Sequence, residues 1–201
     1  HNSIKKWQGS RYMHSAIDCV VDICTANDLK PNEIKQITLE HGNYIHSLGA
    51  LPEDTKKNPT VTEQGRLNLF FMGATAALYR RCWITELKPE VFFSPEVKEM
   101  MTRVRCVANP ELDKEFPAKY TCITTIETND GRTFNMRVDY PKGEPENPIS
   151  WDELAEIMRS VYRDGGGPKV MSKERHEEIL HRVKNMEQEP DIGKLVEIFG
   201  S

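Results

Sequence analysis

Three features of this 201-residue chain predict an α+β fold. A helical apolar repeat opens it, β-rich segments around Asn129-Asp130-Gly131-Arg132 occupy its middle, and capped amphipathic helices close it. The expected architecture is an antiparallel meander sheet packed with helices in residues 1–150, followed by a helical tail in residues 151–201, with no internal repeat.

From Tyr12 to Asn27, Met13, Ile17, Val20, Val21 and Cys24 recur at helical spacing, and His14, Asp18 and Asp22 lie on a neighbouring polar stripe. After Lys30-Pro31, the alternation from Ile34 to Ile45 predicts a strand, and Leu48 to Pro59 a long surface loop. Thr62 to Cys82 is the most apolar helical stretch, and its run Gly73-Ala74-Thr75-Ala76-Ala77 lets another helix approach. Ser94-Pro95-Glu96 starts a short helix through Met101, with Ser94 as cap. Val104–Val107, Tyr120–Thr128 and Thr133–Tyr140 read as the meander, because Asp-Gly tolerates the positive φ of a hairpin turn. Ser150 and Glu153 form a capping box, Asp164 to Pro168 breaks the helix they start, and Ser172–Met186 and Ile192–Phe199 follow as helices.

The formal charge of −4 and the interleaving of acids with bases argue against nucleic acid as a partner. No run approaches the roughly 20 apolar residues that span a bilayer, and no apolar signal region follows the start, so no membrane partner is expected. The five cysteines are odd in number and sit mostly in apolar runs, which suits reduced thiols. The expected location is cytoplasmic, or the mitochondrial matrix in a eukaryote. The first residue is His1, and the chain reads as a fragment, a processed chain or one subunit of a complex.

Two motifs carry little chemistry. His176 and His181 resemble a zinc-protease pair, but a spacing of five turns the second imidazole roughly 140° away on a helix. Gly165-Gly166-Gly167-Pro168-Lys169 lacks the ending of a phosphate loop and reads as a flexible linker. No metal site is expected.

Lys5 to His14 is different: cations, a hydroxyl and an imidazole converge just before a helix whose first N–H groups favour an anion. His14 suits acid or base work. A basic, aromatic helix entry is also a common surface cap, and the residues alone leave both readings open.

Ser10-Arg11-Tyr12-Met13-His14-Ser15-Ala16-Ile17-Asp18, Glu115-Phe116-Pro117-Ala118, Asp130-Gly131-Arg132 and the stretch Pro141-Lys142-Gly143-Glu144-Pro145-Glu146-Asn147-Pro148-Ile149-Ser150 resemble the C-terminal part of MmgE/PrpD proteins, the group that includes 2-methylcitrate dehydratases. The resemblance implies a cofactor-independent lyase that dehydrates a 2-methylcitrate-like hydroxy polycarboxylate. Decarboxylation of a cis-aconitate-like acid, epimerisation, and a non-catalytic binding or assembly module are the alternatives.

Position by position, it implies catalytic roles for Lys5 and His14 and substrate-binding roles for Ser10 and Arg11, with Lys6 replacing Lys5 if the register slips. Asn68 and Phe71 fall where relatives carry a serine and a site tyrosine, and a phenyl ring can donate no proton. The family's helical half, which completes the site, lies outside this sequence. The resemblance therefore implies a helical partner chain or domain, a small polycarboxylate substrate and a homodimer.

Overall fold

The computed structural model describes residues 2–200. They divide into two compact units, up to Pro148 and from Ile149 onward.

The first unit is a four-stranded sheet with helices laid on it. A 3-10 turn, Arg11–Met13, leads into helix α1, His14–Ala26. Strand β1, Ile34–His41, follows. Helices α2, Asn43–Ala50, and α3, Glu53–Lys57, replace the expected strand end and loop. A 3-10 stretch, Thr62–Leu67, precedes α4, Leu69–Tyr79, which starts at Asn68, whose side chain accepts the Phe71 N–H. Next come α5, Pro89–Phe92, α6, Pro95–Arg103, and strands β2, Val104–Ala108, β3, Cys122–Thr128, and β4, Thr133–Val138. Ser94 caps α6 through the Val97 N–H, as its sequence predicts.

The fold is α+β, but the sheet is mixed instead of a meander. Its order is β2-β1-β3-β4. Strand β2 pairs parallel to β1, with Ile37 beside Val104 and Leu39 beside Cys106. Strands β1, β3 and β4 are antiparallel to their neighbours, Ile37 facing Ile126 and Ile126 facing Phe134. A parallel pair needs a long crossover, and α2 to α6 supply it. The β3–β4 hairpin turns at Gly131, whose φ of +89° requires glycine.

Helix α1 covers β3 and β4, while α4 covers β1 and β2. Ile37 and Leu39 of β1 and Ile126 of β3 meet Ile17 and Val20 of α1 and Phe70, Met72 and Ala76 of α4 in one core, all fully or almost fully buried. Gly73 lets α4 sit close on the sheet, since a Cβ there would lie 3.2 Å from Leu39 and 3.3 Å from Val104. The polar stripe of α1 does not face water throughout: His14 and Asp18 are buried, and only Asp22 is exposed.

The second unit holds α7, Trp151–Asp164, α8, Lys173–Lys184, and α9, Ile192–Gly200. Ser150 and Glu153 form the predicted capping box at α7, Ser150 accepting the Glu153 N–H at 3.2 Å. Ser150→Ala should cost about 1 kcal/mol, the usual worth of such a cap, and a loss of helical circular dichroism at lower urea would show it. Gly166 to Lys169 form a turn with a 3-10 segment. His176 is buried and stacks on Tyr162 at 4.3 Å, whereas His181 is exposed, so the two imidazoles share no face. Among the described residues no group of three or more His, Cys, Asp or Glu side chains is placed to hold a metal ion, and no helix is long and apolar enough to cross a membrane.

Candidate active site at the entry to the first helix

Residues 3–10 have no regular structure, so other elements must fix their place. The Gln8 N–H donates to Cys82 O and the Ser10 N–H to Arg66 O, both at 2.9 Å. Gly9 makes the close approach possible. Its φ is +93°, and a Cβ there would meet Met72 at 2.3 Å and Arg66 O at 2.8 Å. The 3-10 stretch before α4 and the first turn of α4 therefore lie against Gly9 and Ser10, where the chain turns into α1.

Lys5 is exposed and its Nζ donates to Gly9 O at 3.0 Å. His14, in the first turn of α1, is only 1% exposed, and its Nε2 is buried with no hydrogen-bond partner among the described residues. Burial pushes the imidazole down from 6.5 to about 3, and the charges of Lys5 and Arg11 push it the same way. At neutral pH His14 is therefore an uncharged ring, able to accept a proton or a hydrogen bond. Ser10 is half-buried and precedes the 3-10 turn without capping it through its side chain.

Arg11 is committed to protein groups. Its Nη1 donates to Ser3 Oγ at 2.6 Å and lies 3.3 Å from Glu144 Oε1, its Nη2 donates to Tyr120 Oη at 2.8 Å, and the guanidinium sits 4.8 Å from the Tyr120 ring centre. Its charge reaches His14, but its donors are engaged in the protein.

Asn68 and Phe71 have internal work too. The Asn68 amide donates to Lys56 O at 2.6 Å and its oxygen caps α4, while Phe71 is fully buried with its ring 4.5 Å from that of Phe92. Asn68 also lines a cavity of about 290 Å³ with Thr55, Lys56, Glu63, Gln64 and Leu67. A second, of about 440 Å³, is lined by Lys57, Asn58, Pro59, Lys98, Met101 and Thr102. Neither is lined by Lys5, Ser10, Arg11 or His14.

Asp18 is visible in the sequence as part of a polar stripe and as the last residue of the Ser10–Asp18 stretch, but with no role attached to it. It accepts Trp7 Nε1–H at 2.8 Å and the Lys142 N–H at 2.7 Å, one on each carboxylate oxygen. Burial raises its pKa, and the two hydrogen bonds oppose the rise. Its spacing four residues after His14 was the visible signal, but its partners lie far along the chain.

Residues 9–186 match the MmgE/PrpD C-terminal domain model. The cis-aconitate decarboxylase-like protein oryM of Aspergillus oryzae (strain ATCC 42149 / RIB 40) is 28% identical over 172 residues, covering 84% of this chain and 33% of that protein. The chain thus spans about a third of the length of that curated relative. Lys5 and Lys6 precede the matched residues; Ser10, Arg11, His14, Asn68 and Phe71 fall within them. With the model covering most of the sequence, the chain belongs to the MmgE/PrpD family through its C-terminal domain.

Proposed function

We propose that this chain supplies the cation-bearing part of a lyase site acting on a small polycarboxylate. The observation that carries the reading is the uncharged, buried His14, its Nε2 unpartnered, within the influence of two cations at the start of α1. Proton abstraction beside a carboxylate needs a base, and it needs positive charge to hold the enolate-like anion that results. In this reading Lys5 and the first N–H groups of α1 attract the carboxylates, Ser10 adds a hydroxyl, and His14 accepts or relays the proton. Arg11 adds its field from a fixed position, and Asn68 and Phe71 support the wall.

A bound polycarboxylate would offset the charges of Lys5 and Arg11 and so raise the pKa of His14, making it a better base when substrate is present. The name of that relative favours decarboxylation of a cis-aconitate-like acid, in which the carbon–carbon bond to one carboxylate breaks to release carbon dioxide and a proton relayed from solvent through His14 is added to carbon. Dehydration of a 2-methylcitrate-like acid remains the second reading, because the motif resemblance includes such dehydratases. A helical chain or domain supplies the rest of the site, and the completed enzyme is a homodimer.

The test is native mass measurement of the assembly with identification of any helical partner, followed by assays of carbon dioxide from cis-aconitate and of alkene from 2-methylcitrate. In the completed enzyme, His14→Gln should lower kcat by about 10²- to 10⁴-fold with KM little changed. An assembly of this chain alone, turning over neither acid, would instead support a binding or assembly module.

A further inference from the structure

We infer that Asp18, Gly143 and Glu144 are positioning residues that clamp the irregular segment 3–9 and so hold Lys5 near His14. The importance of Lys5 rests on the function proposed above; its placement does not.

The segment cannot hold itself. Among residues 3–9 only Trp7 is buried, and Lys5 and Ile4 are exposed. Its fastenings to the loop after β4 are all to one short stretch. The Ile4 N–H donates to Gly143 O at 2.9 Å, and Ser3 Oγ donates to Glu144 Oε2 at 2.7 Å. Asp18 joins the two strands of the clamp from the side of α1, one oxygen on Trp7 and the other on Lys142. Arg11 closes the arrangement through Ser3 and Glu144. Lys5 thus lies between two fixed points, Ile4 and Trp7.

Gly143 has no room for a side chain. Its φ is +101°, and a Cβ would lie 1.9 Å from Ile4 O. The Pro141–Ser150 stretch that shares in the family resemblance therefore has a mechanical use: its glycine, Gly143, admits the segment and its glutamate, Glu144, ties it down. Asn147 holds the loop in shape, its N–H₂ donating to Tyr140 O at 3.0 Å and its carbonyl accepting the Gly143 N–H at 2.8 Å.

A residue that only stabilised the fold would leave the electrostatics of His14 unchanged. The clamp makes a signed claim. Removing the Glu144 carboxylate alone takes a negative charge away and should make His14 harder to protonate, whereas releasing Lys5 should make it easier. The sign separates the two.

The experiment is NMR on the full 201-residue chain, following amide exchange at Ile4, the Trp7 indole N–H and the onset of His14 protonation as pH is lowered. In Gly143→Ala, which changes no charge, Ile4 exchange should quicken by about tenfold or more and His14 should begin to protonate at higher pH, while amides of α4 keep their protection. Glu144→Gln should act in the same direction. Adding Lys5→Met to Gly143→Ala should give little further change at His14, because the lysine has already withdrawn. Unchanged Ile4 exchange in both variants, or a His14 onset that stays or falls, overturns the clamp. None of these signals needs turnover, so an inactive assembly with an intact clamp would sink the proposed reaction and leave the clamp standing.

Discussion

Acidification from neutral pH to about pH 4 should destabilise the chain by roughly 3 to 5 kcal/mol, well before most of its carboxylates are protonated. The cause is two buried, uncharged imidazoles. His14 is pushed down to about 3 by burial and then by Lys5 and Arg11. His41, fully buried at the end of β1, is pushed down to about 4 by burial, partly offset by its hydrogen bond with Thr121 O at 3.0 Å. In the unfolded chain both titrate near 6.5, so below that pH the unfolded state binds more protons and stability falls as pH falls. The loss begins near 6.5 and runs through the folded-state values. Asp18 works against it, because a carboxyl whose pKa is raised by burial gains stability as it becomes protonated. Urea midpoints across this window provide the measurement. His14→Gln and His41→Gln should each flatten the profile, and a parent curve that is level from 6.5 to about 4 would show that the rings are not held uncharged.

The parts of this fold that could be read in advance are those whose cause is local. Ser94-Pro95, Ser150 with Glu153, and Asp130-Gly131 act within a few residues, and each does in the structure what its spacing predicts. Helix α2 was hidden because Ile45 continues the apolar alternation of β1, and because Gly42 precedes it with no side-chain cap to mark the change. The pairing of β2 with β1 was hidden for a different reason. Three β-rich segments in a row look like a meander, and only the stacking of α4 and α6 on the sheet decides that β2 lies on the far side of β1.

The motif resemblance mixes two kinds of residue that a sequence cannot separate. Glu115 takes both Arg137 Nη2 contacts, at 2.8 and 2.6 Å, which bind loop to strand, and Asp130 takes Arg132 Nε at 2.8 Å, which braces the hairpin turn. Lys5, Ser10 and His14 were visible as a cationic, polar entry to a helix. That Arg11 spends its donors on Ser3 and Tyr120 was not, since Tyr120 is 109 positions away. Nor could spacing show that Asp18 ties Trp7 to Lys142.

Phe71 is where the two kinds of residue are most easily confused, and its substitutions should have the largest single-site effects. Phe71→Ala should cost about 3 to 5 kcal/mol, because the ring is fully buried, lies 4.5 Å from Phe92 and has Gly65 closing over it. A Cβ on Gly65 would stand 3.1 Å from the Phe71 ring, so the space is already filled. Phe71→Tyr is the sharper test. If the ring's edge faces only core, the added hydroxyl has no partner and should cost roughly 1 to 3 kcal/mol. If the position opens toward substrate, as the family resemblance implies, the hydroxyl finds water or substrate and the cost disappears. Denaturant midpoints at unchanged m-value measure the difference. The expected result is the cost: the ring packs against Phe92 beneath Gly65, and the backbone N–H of Phe71 is the one that the Asn68 side chain accepts at the start of α4. A tyrosine there would disturb the core beneath the start of α4 before it could take part in any chemistry.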